Sequence, residues 1–216
     1  MKIENGQSLL FTGDSITDCG RARPIGAGTG LGNGYVAFVD SLLSVFYPQR
    51  RIRVLNSGIG GDRVINLEAR WETDVLLLEP AWLAIMIGVN DVWRQFDNPL
   101  DPNQVALERY ESVYRGMLDQ ARPKLQGLAL MTPFYMELNR SDPMRERMDA
   151  YGLVVERLAD EFDAVFVDVQ AAFDLHLAHR PTQSLAGDRV HPNTTGHMII
   201  AKAFLTAMEF SWGSVG

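Results

Sequence analysis

Five short apolar segments alternating with amphipathic ones predict an α/β sandwich around a parallel sheet. The segments are 9–12, 52–56, 82–87, 128–131 and 165–169. Each is a nearly continuous apolar run, as expected of a strand covered on both faces. The stretches between them carry apolar residues at helical spacing and are long enough to be crossovers. The chain has 216 residues, of which 46% are hydrophobic and 22% charged. That length and balance suit one globular domain over residues 1–216 with a sizeable core.

Along the chain, the first strand, 9–12, runs into Gly13-Asp14-Ser15. Residues 35–47 place Tyr35, Phe38, Val39, Leu42, Leu43 and Phe46 at helical spacing. The second strand, 52–56, is followed by Gly58, Gly60 and Gly61. Residues 64–78 predict a single helix, stopped at Glu79-Pro80. The third strand, 82–87, ends at Gly88-Val89-Asn90-Asp91. Asp101-Pro102, with Gln104 at the capping-box position, predicts a helix from there to about Arg122. After the fourth strand, 128–131, Asp142-Pro143 repeats the cap signal. It opens a helix through Met144, Met148, Tyr151, Val155 and Leu158. The fifth strand, 165–169, leads into a short helix ending near His179. The last helix, 195–210, lines up Ile199, Ile200, Ala203, Phe204 and Ala207. The glycine-rich segment 26–34 reads as a loop.

The net charge of -7 disfavours nucleic acid or an anionic membrane as partner, because phosphate binding needs clustered Lys and Arg. Cys19 is the single cysteine, so no internal disulfide forms. No run of 18 apolar residues is present to span a membrane. The polar residues 1–8 lack the pattern of a secretory leader, so a cytoplasmic place is expected.

Ligands of such sheets bind beyond the carboxyl ends of the strands, and the chemistry-bearing residues fall on segments directed there. Ser15 follows the first strand and can act as a nucleophile if a base accepts its proton. His191 is the best base, since imidazole accepts and returns protons near neutrality. Asp188, three residues earlier, can reach the other ring nitrogen if the loop turns, and Pro192 stiffens that loop. Candidate donors to an oxyanion are the Gly61 N–H, the Asn90 amide and the Ser15 N–H.

Each residue alone has a plainer explanation. Ser15 suits an N-cap, Gly61 a backbone requirement, Asn90 a helix-capping turn, and Asp188 with His191 a surface turn. Cys19 is a rival nucleophile, better read as a small buried residue. His176 and His179 have metal-like spacing but no clear third ligand, so no metal is expected. Asp14 and Asp168 are alternative acids for the relay. No G-x-S-x-G elbow surrounds a serine, which argues against an ordinary α/β-hydrolase. No dinucleotide fingerprint or P-loop is present, and no organic cofactor is expected. Trp93, Tyr35, Phe134 and Tyr135 can offer apolar faces to an acyl or sugar group, or else belong to the core or a subunit interface.

Four ordered blocks make the chain resemble the SGNH, or GDSL-type, hydrolases over nearly its whole length. They are Gly13-Asp14-Ser15-Ile16, Gly58-Ile59-Gly60-Gly61-Asp62, Gly88-Val89-Asn90-Asp91 and Asp188-Arg189-Val190-His191-Pro192. The resemblance implies a three-layer, flavodoxin-like fold on a five-stranded parallel sheet. It implies Ser15 as nucleophile, His191 as base and Asp188 as its partner. The implied oxyanion hole comprises the Ser15 and Gly61 N–H groups and the Asn90 side chain. Gly61 is favoured over Gly60 because Asp62 follows it, as in the family block. The stretches Gly13-Asp14-Ser15-Ile16-Thr17-Asp18-Cys19-Gly20-Arg21, Gly88-Val89-Asn90-Asp91-Val92-Trp93-Arg94 and Met131-Thr132-Pro133-Phe134-Tyr135 resemble the intracellular acetylxylan esterase branch. That branch implies a serine esterase acting on a small acetylated carbohydrate, especially xylo-oligosaccharides, and forming a homo-oligomer. The alternatives are a lipase-, lysophospholipase- or thioesterase-like relative, or a catalytically silent carbohydrate-binding protein on the same fold.

Overall fold

A computed structural model describes residues 1–213. Its sheet is built from β1 (Ser8–Gly13), β2 (Gly26–Ala27), β3 (Arg53–Asn56), β4 (Trp82–Met86), β5 (Gly127–Met131) and β6 (Val165–Val167), in the order β2-β3-β1-β4-β5-β6. All neighbours pair in parallel except β2 with β3. The helices are α1 (Ser15–Asp18), α2 (Tyr35–Phe46), α3 (Val64–Ala69), α4 (Trp71–Asp74), α5 (Val89–Asp97), α6 (Leu107–Ala121), α7 (Pro143–Glu161), α8 (Val169–Leu177) and α9 (Thr194–Ala207). Among the described residues, no helix is long and apolar enough to cross a membrane.

The five expected strands are present, and their order is that of the flavodoxin-like doubly wound sheet. Right-handed crossovers sort the helices by the direction in which the sheet advances. The β1-to-β3 connection places α2 on one face, where it packs against α9, and α9 packs against α8. The oppositely directed connections place α3, α6 and α7 together on the other face. Strands β1 and β4 are buried along almost all of their length. On the α2 side, Phe11 meets Tyr35 edge-on at 5.4 Å and Phe204 at 4.9 Å. On the opposite side, Tyr110 packs against Tyr114 and Tyr151. Burial of each large apolar side chain contributes about 1.5–3 kcal/mol to the gross stability of these layers.

Several expectations are corrected. The sheet has six strands rather than five, because Gly26 and Ala27 pair antiparallel with Asn56 and Leu55. So short a glycine-containing strand leaves no periodic pattern to read. The helix expected over 64–78 is divided, since Arg70 leaves helical geometry (φ -113°, ψ 11°) between α3 and α4. The Asp101-Pro102 pair caps no helix. The Asp101 side chain accepts from the Asn103 N–H at 2.8 Å, forming a local turn, and pairs with Arg63 at 3.4 Å. Val105 is then drawn into the core, and its carbonyl accepts from the Tyr151 hydroxyl, so α6 begins only at Leu107. The last strand stops at Val167 because Asp168 caps α8, accepting from the Ala171 N–H at 2.8 Å.

Asp142, by contrast, caps α7 as expected, accepting from the Met144 and Arg145 N–H groups at 2.9 and 3.1 Å. Asp142→Ala should therefore cost about 1 kcal/mol of stability, the usual loss for an N-cap carboxylate. Asp101→Ala should cost less. Urea unfolding of the two variants beside the parent checks the order.

Candidate active site

The site forms where β1, β3 and β4 end side by side. Gly13 closes β1 against β4, with no room for a side chain. A Cβ there would lie 2.1 Å from the Met86 carbonyl oxygen and 2.7 Å from Thr17 Oγ1. The next residue, Asp14, caps α1 by accepting from the Ile16 N–H at 3.0 Å. Ser15 is thereby the first residue of α1, where an N–H has no intrahelical partner.

After β3, the chain crosses in front of Ser15 through Gly58, Gly60 and Gly61. The Gly60 N–H is occupied, donating to Asp18 Oδ2 at 3.0 Å. The Gly61 N–H has no hydrogen-bond partner among the described residues, and Gly61 has φ +84° with open space where a Cβ would stand. After β4, Gly88 (φ +130°) turns the chain into α5, and a Cβ there would meet the Tyr110 hydroxyl at 3.0 Å. This turn presents Asn90, which is buried and donates one Nδ2 hydrogen to the Asp62 carbonyl at 3.1 Å. The second hydrogen of that amide is left for another acceptor.

Asp188 and His191 arrive from the far end of the chain on a closed loop. The Asn193 N–H donates to the Leu185 carbonyl at 2.7 Å, and Ala186 bridges Pro192. The Met136 N–H donates to the Arg189 carbonyl at 2.9 Å, tying the loop to the segment after β5. Asp188 Oδ1 accepts from the Val190 and His191 N–H groups at 3.0 and 2.8 Å, so the loop folds around its own carboxylate. Asp188 Oδ2 lies 2.7 Å from His191 Nδ1, and His191 Nε2 lies 3.0 Å from Ser15 Oγ. With Nδ1–H donating to Asp188, Nε2 accepts from the serine hydroxyl.

Partial burial by itself would raise the Asp188 carboxyl. The His191 ring and the His191 and Val190 N–H groups outweigh it and hold the carboxyl below its ordinary value. Asp188 thus stays ionised opposite the imidazole. Both side chains remain open to solvent, at 48% for His191 and 42% for Asp188.

Trp93 borders this opening, with its ring centre 5.8 Å from that of His191. Tyr35 does not. It is wholly buried, bonded to Thr17 Oγ1 at 2.9 Å and packed on Phe11, which corrects the expectation that it contacts substrate. Phe134 is likewise a core residue, packed on Phe173 at 4.4 Å. Tyr135 is partly exposed, with the Arg189 guanidinium over its ring. The rival groups are engaged elsewhere. Cys19 Sγ lies 3.4 Å from His197 Nε2, and Asp14 and Asp168 cap helices. His176 and His179 line a separate cavity of about 690 Å³ between α8 and α9. Among the described residues, no group of three or more His, Cys, Asp or Glu is arranged to hold a metal ion.

Two features beneath the site are not read from the sequence: the role of one arginine and the burial of two acids. One is Arg70, which bonds to Asp62, Ser57 and Gly13. The available signal was its position three residues after Leu67, on the apolar face of an otherwise ordinary helix. The other is the buried pair Asp14 and Asp91. Burial pushes the Asp14 carboxyl up to about 7 against the opposing pull of the Ile16 N–H. Burial likewise raises Asp91 to about 7, although both of its oxygens accept from the Val64 N–H.

Asp14 therefore holds its proton more tightly folded than unfolded, where the value is 3.8. Its contribution to stability is fully present below that value and is lost as pH rises through about 7. Asn caps a helix as well as Asp does but has no such proton to lose. The unfolding free energy of Asp14→Asn should thus fall less steeply than that of the parent between pH 4 and pH 7, the approximate bounds set by the two values. Denaturant titrations across that range measure the slope, and Asp91 should leave a residual slope in the variant.

The sequence from residue 11 to residue 199 matches the model of the GDSL-like Lipase/Acylhydrolase family. The chain is 53% identical over 215 residues to an acetylxylan esterase of Geobacillus stearothermophilus, covering 98% of each chain. The crystal structure of Axe2, an acetylxylan esterase from that organism, superposes with a TM-score of 0.98 at 52% identity, covering 100% of both chains. Catalytic mutants of that enzyme, with a serine, a histidine or an aspartate replaced by alanine, match equally well. LAE5, an α/β hydrolase from the metagenome of Lake Arreo in Spain, superposes with a TM-score of 0.95 at 45% identity over 97% of this chain and 98% of its own. The chain belongs to the GDSL-like lipase/acylhydrolase family.

Proposed function

We propose that this protein is a serine esterase that removes acetyl groups from xylo-oligosaccharides or related small carbohydrate esters through an acyl-enzyme. The observation that carries this reading is the unbroken relay from Ser15 Oγ through His191 to Asp188, at 3.0 and 2.7 Å. Ser15 Oγ attacks the acetyl carbonyl carbon while its proton passes to His191 Nε2. Asp188 holds the imidazolium through Nδ1. The carbonyl oxygen becomes an oxyanion and takes hydrogen bonds from the Ser15 N–H, the Gly61 N–H and the Asn90 amide. As the tetrahedral intermediate collapses, His191 returns the proton to the sugar oxygen, and the alcohol leaves. Water then gives a proton to His191 and attacks the acetyl-serine. Collapse of the second intermediate frees acetate and restores the Ser15 hydroxyl.

Substrate class is supported by the relative named for acetylxylan and by the surroundings of the relay. Acetyl is small, so the energy that distinguishes substrates must come from the alcohol portion. The open flank at His191 gives a sugar access, and the Trp93 ring offers it an apolar face. The same reading takes residues 1–216 as one domain. It is supported by a core that runs from Ile3 to Phe210 through every strand but the edge pair Gly26 and Ala27. Homo-oligomerisation and a cytoplasmic place complete the reading on the strength of the family resemblance. Light scattering of the purified protein tests the former.

Ser15→Ala should lower acetyl-ester hydrolysis by several orders of magnitude while its circular dichroism stays that of the parent. Asp188→Asn should reduce kcat on the order of 10³- to 10⁴-fold, because the neutral amide neither fixes the tautomer nor stabilises imidazolium. Acetate release is the direct measurement. Acetylated xylo-oligosaccharides should be better substrates than other acetylated sugars and long-chain esters. Preference for a long acyl chain would identify a lipase- or thioesterase-like enzyme instead. A Ser15 left unlabelled by a serine-directed organophosphate would identify a silent binding protein.

A further inference from the structure

We propose that Arg70 is the positioning residue of the oxyanion hole, its single guanidinium clamping the end of β1, which leads to the Ser15 N–H, to the glycine loop, which carries the Gly61 N–H and whose Asp62 carbonyl holds Asn90; this rests on the esterase reading above. Four bonds define the clamp. Arg70 Nε donates to Asp62 Oδ2 at 2.7 Å. Nη1 donates to the Ser57 carbonyl at 2.7 Å and to Asp74 Oδ2 at 3.0 Å. Nη2 donates to the Gly13 carbonyl at 3.1 Å. The side chain is 12% exposed, so these bonds form with little competition from water.

Three of the four partners lie on the segments that deliver the donors. Gly13 is two residues before Ser15 and ends β1. Ser57 starts the run that delivers Gly61. Asp62 follows Gly61 directly, and its own carbonyl receives Asn90 Nδ2 at 3.1 Å. The Gly13 carbonyl also accepts from the Ile59 N–H at 3.0 Å, so the nucleophile strand and the glycine loop share an acceptor that Arg70 steadies. The Ser15 N–H, the Gly61 N–H and the Asn90 amide come from three segments far apart in sequence. Arg70 is the side chain that bonds at once to the Gly13 carbonyl and to Ser57 and Asp62 at both ends of the glycine loop, and the Asp62 carbonyl in turn holds Asn90.

The local backbone serves this placement. The break between α3 and α4 falls at Arg70, which leaves helical geometry there and points inward among Asp62, Asp74 and the strand ends. A planar fork with five donors spans three acceptor segments. A lysine ammonium keeps the charge opposite Asp62 but cannot reach all of them at once. The oxyanion hole works only if its donors are preorganised, so loosening the clamp should weaken transition-state stabilisation more than substrate binding.

The test compares Arg70→Lys and Asp74→Asn with the parent on p-nitrophenyl acetate, with Ser15→Ala assayed in parallel. Asp74→Asn loosens the outer grip on the same guanidinium without touching the site, and it decides the question if Arg70→Lys does not fold. In Arg70→Lys, kcat should fall roughly 10- to 100-fold, short of the 10²- to 10³-fold typical when a donor is removed outright. KM and the pH midpoint of kcat/KM should stay those of the parent, because the relay through His191 is untouched. Asp74→Asn should show a smaller loss of the same kind. A parental kcat in the decisive variant, or a loss that appears in KM or as a shifted pH midpoint, overturns the assignment. Residual turnover by Ser15→Ala would instead sink the esterase reading itself. A dead Ser15→Ala beside a fully active Arg70→Lys sinks only the role given to Arg70.

Discussion

The parallel pairing of β1 between β3 and β4 is the constraint from which the site follows. The register sets Phe11 beside Asn56 on one side and Ala84 on the other, so the three strands run out together. Parallel strands with right-handed crossovers send every following loop to the same edge. The Ser15, Gly61 and Asn90 segments therefore meet by topology, before any side chain is considered. The strand order reverses direction at β1, since β3 lies on one side of it and β4 on the other. The crevice at that reversal is where doubly wound sheets bind their ligands.

Two kinds of carboxyl group surround this crevice, and their environments separate them. Asp188 is exposed, bonded to an imidazole and two backbone N–H groups, and remains charged. Asp14 and Asp91 are sealed beneath the strand ends, where burial favours the neutral acid. The two environments thus move the buried pair and the exposed acid in opposite directions from the same ordinary value. Arg70 pairs one cation with both Asp62 and Asp74.

Much of this was legible in the residues. The apolar runs identified the five parallel strands because burial on both faces removes alternation. The Asp142-Pro143 cap was readable because its partners, Met144 and Arg145, are next in the chain. Asp101-Pro102 carries the same letters and fails. Its carboxylate is taken by Asn103 and Arg63, and Val105 is claimed by the core. Tyr35 failed for a related reason: an aromatic beside a glycine-rich loop suits a cleft or a core equally, and Phe11 and Thr17 decide for the core. The two-residue strand Gly26–Ala27 has no pattern at all and exists through its pairing with β3.

The sequence by itself determined the fold class and the segments that leave strand ends, and it singled out Ser15, Gly61, Asn90, Asp188 and His191 as candidates. These depend on local periodicity and on residue chemistry, which a linear chain displays. Only the tertiary structure decided which hydrogen bonds those groups make. It placed Gly60 on Asp18 and left Gly61 open, turned Trp93 toward His191 and Tyr35 away from the site, and gathered Gly13, Ser57 and Asp62 around Arg70. The physical reason is that a hydrogen bond between distant residues depends on where two backbones end. That position is set by the packing of the whole sheet and not by either residue's neighbours in sequence.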